Sequence, residues 1–386
     1  MRRPTAVLVA GVMLLAGGLS AAQPGPVDDQ ELRAAIDQLG AFDYDTRTAA
    51  SGLVRRAPVE QVGPALAAAV TGHDDGYVQF RALVLLVGFG GPLAKQVVLD
   101  VLGDPNDRLR AVAYGYFEHD PDPVMAPRLL AALDTETSEF VRPALIRAVA
   151  AHDADPAVRA RLIADIDRGV DFFRGSVIEA LGDRAASYAL DPLLRIVGEP
   201  GPLQDDALLA LTRIGDTRAL ASVAALQGTD PDIEPMVSAA AAVLGSDRDR
   251  HFQFVTESLR FAVAGDHADL VRSSAAALGA LASRGDAHAV RELFDVGVNA
   301  DPGARDSIAL VLGMLAMRYP DTVLGHLETR TDLPAAALVV RDGFDMLDED
   351  LEEERFFMTT RTAFWFAPEG SRSRAVSGEL IRALEF

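Results

Sequence analysis

Glu118, His119, Asp120 and Asp122 fall within five positions of one another in "FEHDPDPVMAPRLLAAL", residues 117–133. An imidazole beside carboxylates is what a metal ion or a hydrolytic base needs. Thirty-three residues on, "AAHDADPAVRARLIADI" restates the core of that cluster with His152, Asp153 and Asp155. A third stretch, His73-Asp74-Asp75-Gly76, has a similar composition. The recurrence weighs against chemistry, because an active site is built once and a turn recurs wherever a helix starts. Asp122-Pro123 and Asp155-Pro156 each put an aspartate directly before a proline. Such an aspartate accepts hydrogen bonds from the free N–H groups of a first helical turn. Proline suits the first helical position, and the carboxylate faces the positive end of the helix dipole. The histidine then meets the free carbonyls of the preceding helix. Zinc would need three or four converging ligands, and Asp122 cannot join them if it caps a helix. Helix boundaries are therefore the expected role of all three stretches. Cation binding by His119/Asp120/Asp122 or His152/Asp153/Asp155 stays open as the alternative.

Other motifs are weaker. "GFGGPLAK", Gly88–Lys95, hints at a phosphate loop, but Ala94 precedes Lys95 and Gln96 follows it, where Gly-Lys-Ser/Thr is required. A helix stop at Gly90-Gly91 and a helix start at Pro92 explain the same residues. No His-Glu-x-x-His, Gly-x-Ser-x-Gly or Ser-x-x-Lys pattern occurs, nor a complete calcium loop. The expectation is no catalytic, cofactor-binding or metal residue, and no enzyme.

The elements that position these residues show in a repeat. After Asp107 the apolar positions are Leu109, Val112, Ala113, Tyr116 and Phe117, one face of a helix. Shifted by 32 residues they become Val141, Ala144, Leu145, Ala148 and Val149; shifted by 32 again, Phe173, Ser176, Val177, Ala180 and Leu181. A marker arginine accompanies them at 110, 142 and 174, and recurs outward at Arg47, Arg81, Arg272, Arg305, Arg341 and Arg374. From Arg47 to Arg374 the spacing averages about 33 residues. Each unit reads as two helices, the first carrying the arginine and the second a matching stripe such as Leu190, Leu193, Leu194 and Val197. No segment alternates convincingly as a strand; "RFFMTTRTAFWF", 355–366, is the one possible exception and is expected to be helical. One helix pair cannot bury its stripe alone, so neighbouring pairs must stack into one continuous core.

"DPNDRLRAVAYGYFEHDPDPVMAPRLLAALD" resembles a HEAT repeat of the short kind found in bacterial proteins and phycobilin lyases. "DFFRGSVIEALGDRAASYALDPLLRIVGE" and "ADLVRSSAAALGALASRGDAHAVRELFD" are similar to the same pattern. The resemblance is at the level of fold and covers nearly all of the chain past its first residues. It implies an all-α, right-handed α-α superhelix (solenoid) of about ten to eleven two-helix units, and a protein-binding scaffold more often than an enzyme. The expected organisation is a leader at 1–22 and a single solenoid at 23–386. Within it a cap spans about 27–42, repeats about 43–344, and an atypical capping region about 345–386. The second helices are expected to line its concave surface.

Composition bounds the partners. Formal charge is −21 and pI about 4.7, a poor match to nucleic acid, whose phosphates need a basic footprint. A cationic partner fits better. Lys95 is the only lysine, and aspartate outnumbers glutamate roughly two to one; a GC-rich genome and adaptation to high salt both explain this. "MRRPTAVLVAGVMLLAGGLSAAQPG" reads as a secretory leader, with Arg2 and Arg3, an apolar run over Ala6–Leu19, and a cleavage signal at Ser20-Ala21-Ala22. Cleavage after Ala22, a periplasmic or secreted location and no stable membrane insertion are expected. The chain has no cysteine, hence no disulfide and no thiol nucleophile.

Two C-terminal features stand apart. "DMLDEDLEEER", 345–355, reads as a solvated, acidic helix start, or else as a patch for a basic partner or a cation. Phe356, Phe357, Phe364, Trp365 and Phe366 read as an aromatic plug under the last unit, or else as an exposed hot spot. The expected function is an exported, non-catalytic scaffold that grips a protein partner, a basic one by charge, in the groove of a solenoid, with no cofactor. The alternatives are an enzyme or cofactor/metal binder with its site in the groove, and a salt- or cation-adapted structural protein.

Overall fold

The computed structural model describes residues 25–245, 247–347 and 350–386. The expected leader, 1–22, lies outside the described residues. The chain is all-α: twenty-two α-helices and three 3-10 turns, with no strand among the described residues. They run α1 (Asp29–Gln38), α2 (Tyr44–Arg56), α3 (Val59–Gly72), α4 (Gly76–Phe89), α5 (Gly91–Val101) and α6 (Asp107–His119). Next come α7 (Ala126–Thr135), α8 (Arg142–Ala150), α9 (Pro156–Asp165), α10 (Asp171–Asp183) and α11 (Leu190–Val197). Then follow α12 (Pro202–Ile214), α13 (Leu220–Ala224), α14 (Glu234–Leu244), α15 (Arg248–Gly265), α16 (Ala268–Ser283) and α17 (Ala287–Gly297). The last are α18 (Pro302–Arg318), α19 (Pro320–Leu327), α20 (Leu333–Met346), α21 (Asp350–Phe366) and α22 (Arg372–Leu384). The segment 355–366 is helical, inside α21.

Every marker arginine lies on an even-numbered helix, from Arg47 on α2 to Arg374 on α22. From α4 to α20 each of these first helices packs on the next, and α20 on α22, so that they form one layer. The repeated stripe is what they bury: Leu109, Ala113, Phe117, Val141, Leu145, Val177 and Leu181 are almost inaccessible. A buried leucine, valine or phenylalanine contributes roughly 1.5–3 kcal/mol over its exposed state, and one cluster of such residues runs from Leu32 to Leu380. The marker arginine has its own structural task. Arg47 donates to the Ala41 carbonyl at 2.8 Å, Arg110 to Asp104 at 2.8 Å, Arg174 to Ile166 at 2.8 Å and Arg305 to Ala300 at 3.1 Å. In these four units it ties the first helix to the loop that enters it, satisfying carbonyls that would otherwise lack partners.

Contacts between units that are not neighbours in the chain come from this inner layer of first helices: α12 packs on α16, and Arg318 on α18 pairs with Asp183 on α10. Small residues let these helices approach closely. A Cβ on Gly182 of α10 would lie 2.9 Å from the Ala210 Cα of α12, and one on Gly343 of α20 would collide with the Ala309 carbonyl of α18.

Helix α21 breaks the alternation. It packs on α4 and α18 instead of continuing the outer layer beside α19. Two glycines seat it: a Cβ on Gly88 of α4 would lie 2.7 Å from Glu354 Cγ, and one on Gly115 of α6 would lie 2.7 Å from Leu351 Cδ2. Among the described residues no single helix is long and apolar enough to cross a membrane.

Candidate binding face on the inner helix layer

The two His-Asp stretches fold differently. Asp155 caps α9, accepting from the Ala157 N–H at 2.8 Å. His152 turns its Nδ1 to the Ala148 carbonyl at 2.8 Å and its Nε2 to the Asp122 carbonyl at 2.9 Å. Both ring nitrogens lie against backbone carbonyls, which leaves neither an open side for a metal. Asp153 faces Arg184 at 3.6 Å and Tyr188 at 3.4 Å. Asp122 accepts from the Val124 N–H at 3.1 Å and pairs with Lys95 at 3.1 Å. The Lys95 contact, followed by the Val124 N–H, holds its carboxyl below the usual range. Asp120 accepts from the Tyr116 hydroxyl at 2.6 Å. His73 accepts from the Asp75 N–H at 2.9 Å, and Asp75 caps α4. The Gly88–Lys95 stretch is a helix stop and restart, with Gly90 at φ 71° and Gly91 at φ 87°, where glycine is favoured.

His119 is the exception. It does not join Asp120 and Asp122; its Nε2 meets Glu352 Oε1 at 2.6 Å, across 233 residues of chain. The acidic run that reads as a solvated helix start is, over these residues, folded inward. Glu352 and Glu354 are buried. Glu354 accepts from Arg55 Nε at 2.9 Å, and Asp350 pairs with Arg81. The basic partner of this acidic stretch is therefore the chain's own inner layer at α2, α4 and α6. Burial opposes ionisation of Glu352, but the His119 hydrogen bond, backed by the charges of His119, Arg147 and Arg355, holds its carboxyl below the usual range.

Glu118, His119 and Glu352 bring ligand atoms within 4.8 Å of one another, a spacing a cation can bridge. Arg147 decides against that reading, because its Nε donates to Glu118 Oε2 at 2.9 Å and puts a fixed positive charge beside the set. It reads as an ion-pair cluster. The aromatics of α21 form a plug: Phe357 stacks on Phe386 at 4.1 Å and contacts Phe344 and Phe356, which is fully buried. Phe366 stays exposed.

Beside α21, which reaches α18, the inner layer opens into a cavity of about 380 Å³ between α10, α12, α16 and α18. Phe172, Leu209, Val311 and Met314 give it apolar lining. Glu179, Asp183, Asp206, Arg213 and Arg318 line it as well. Arg213 pairs with Asp183 at 3.1 Å, and Arg318 reaches both Asp183 and Glu179, the latter at 3.4 Å. Glu179 is deep in the fold, yet 35% of its side chain is accessible because it faces this space. Burial opposes its charge, but Arg318, Arg213 and Arg147 prevail and hold its carboxyl low. Asp206 has no such compensation. Burial, reinforced by Glu179 and Asp205, pushes its carboxyl up to about 6 against the pull of Arg213. An apolar pocket with a few convergent polar groups and a displaced carboxyl is the usual form of a ligand site. Neither residue stands in a recognisable motif. Both fall on the repeated first-helix pattern, Glu179 next to the stripe residue Ala180.

No family model and no curated protein matches this chain.

Proposed function

We propose that this chain is an exported, non-catalytic binding scaffold, a right-handed solenoid of HEAT-like helix pairs that holds a protein segment on its inner layer. One observation carries the reading: the division of the inner face. Over α2, α4 and α6 the chain's own acidic helix is already bound there through Arg55, Arg81 and His119, so this layer has the side chains to grip a helix. Over α10, α12 and α16 no such helix is seated, and a cavity lies between them and α18, with the exposed ring of Phe172 at its edge. The acidic balance of the chain favours a basic segment there. The leader pattern at 1–22 supports export.

A photo-reactive residue in place of Leu209, on the inner layer, should capture a partner in the native envelope. The same residue in place of the exposed Phe261 on α15 should not. Capture from the Phe261 position alone would overturn the reading.

A second reading, acid–base hydrolysis, is favoured by Glu179 and Asp206, two carboxyls of one cavity whose proton affinities are driven apart. It requires turnover of a small molecule that Glu179→Gln abolishes.

A further inference from the structure

We propose that the cavity between α10, α12, α16 and α18 is a binding site for an organic cation with an apolar body, of the alkylammonium class, anchored by Asp206. This goes beyond the scaffold reading and holds whether or not a protein docks on the inner layer.

Charge complementarity is the first argument. The cavity is lined by four carboxylates, Asp171, Glu179, Asp183 and Asp206, and by two guanidinium groups, Arg213 and Arg318. Asp183 takes both arginines, with Arg318 also reaching Glu179. Asp171 is met by Arg174 at 2.8 Å. Asp206 remains: its neighbours Glu179 and Asp205 are like charges, and Arg213, which attracts it, is committed to Asp183. A cation entering beside Asp206 supplies the missing charge. An anion would meet an excess of carboxylate.

Shape is the second argument. The apolar lining is Phe172, Leu209, Ala276, Val311 and Met314. Gly175 and Gly279 let Asp206 and Val311 seat closely against the facing helices, since a Cβ at Gly175 would lie 2.9 Å from Asp206 Oδ2 and one at Gly279 would lie 2.6 Å from Val311 Cγ1. About 380 Å³ is within the range of small-molecule sites. A chain of several methylenes would fill the apolar part while its ammonium group meets the carboxyl. Burial of each methylene favours binding, so body and charge both contribute.

The carboxyl must be ionised to hold a cation. The charged groups facing it are Glu179 from α10 and Asp205 and Arg213 from its own α12, and Asp183 from α10 and Arg318 from α18 line the same cavity. Binding should therefore weaken as pH falls through about 6.

The test uses three probes with one apolar body: octylammonium, octanol and octanoate, titrated calorimetrically into the full chain. At pH 7.5 octylammonium should bind at least tenfold more tightly than the other two. That preference should collapse at pH 5 and in Asp206→Asn. Ala276→Leu, which projects into the cavity, should weaken octylammonium and octanol alike. Asp206→Asn removes an uncompensated charge, so loss of binding in it will not reflect misfolding; a thermal melt checks this. Equal binding of the three probes, no binding of octylammonium, or octylammonium binding unmoved by both substitutions would overturn the proposal.

Discussion

Arg55 and Glu354 are separated by 299 residues in the chain, and Arg55 Nε donates to Glu354 Oε1 at 2.9 Å with almost no exposure of either side chain. The pair fastens α21 to α2 beside Gly88 and joins one end of the helix array to the other. A buried pair adds little over an apolar one, but breaking it leaves a bare charge inside. Glu354→Gln should therefore cost about 3–5 kcal/mol in denaturant unfolding. The double change Arg55→Met with Glu354→Leu should recover most of that loss. If the double variant is as unstable as the single one, the pair does not act as a unit.

Asp206 carries a stability cost that its environment predicts. Its folded-state carboxyl sits at about 6, above the ordinary value. The cost is therefore absent below about pH 4 and fully developed once pH has risen past about 6. Asp206→Asn should stabilise the protein at pH 7 by about 1–3 kcal/mol, and by nothing measurable at pH 4. Thermal melts at the two pH values check the sign.

The low carboxyl of Glu352 works the other way. Its stabilisation is present above the unfolded carboxylate range and is lost as pH falls through the lower folded value. Acid should thus loosen α21. The single tryptophan, Trp365, lies on that helix and packs edge-on against Phe364 at 5.2 Å. Its emission should shift on acidification below about pH 4, and Glu352→Gln should remove most of that early shift. An identical profile in both proteins would exclude Glu352 as the cause.

Two glycines in helices make a paired test of packing. Gly343→Ala drives a methyl group into the Ala309 carbonyl at the α18–α20 crossing and should cost about 1–3 kcal/mol. Gly52→Ala, in the middle of α2 with nothing within 4 Å, should gain about 0.5–1 kcal/mol. Urea midpoints of the two variants should move in opposite directions.

Much of this was legible in the sequence because it is periodic. The stripe from Leu109 to Phe117, repeated twice at 32 residues, set the first helices, and Asp155-Pro156 marked a real helix start. What escaped is what does not repeat. Nothing local in "FEHDPDP" says that His119 turns inward to Glu352 while His152 turns to carbonyls; that depends on α21 arriving from 233 residues away. The acidic run looked solvated because its countercharges, Arg55 and Arg81, are distant in sequence. Gly88 and Gly115 were the available signal, as small residues on helix faces where the pattern leaves room for a side chain. The close approach of the first helices likewise rests on which of them carry glycine and alanine at their crossings, a packing property that the period alone does not encode.

The most direct measurement exploits the lysine-poor composition. Arg81→Lys keeps the charge at that position and gives the chain its second lysine after Lys95. A zero-length carbodiimide couples amines only to carboxylates already in contact. If α21 lies against the inner layer, peptide mapping should find position 81 joined to Asp350, across a sequence separation of 269 residues. Coupling of position 81 only to Asp74 or Asp75 of the preceding loop would contradict the account.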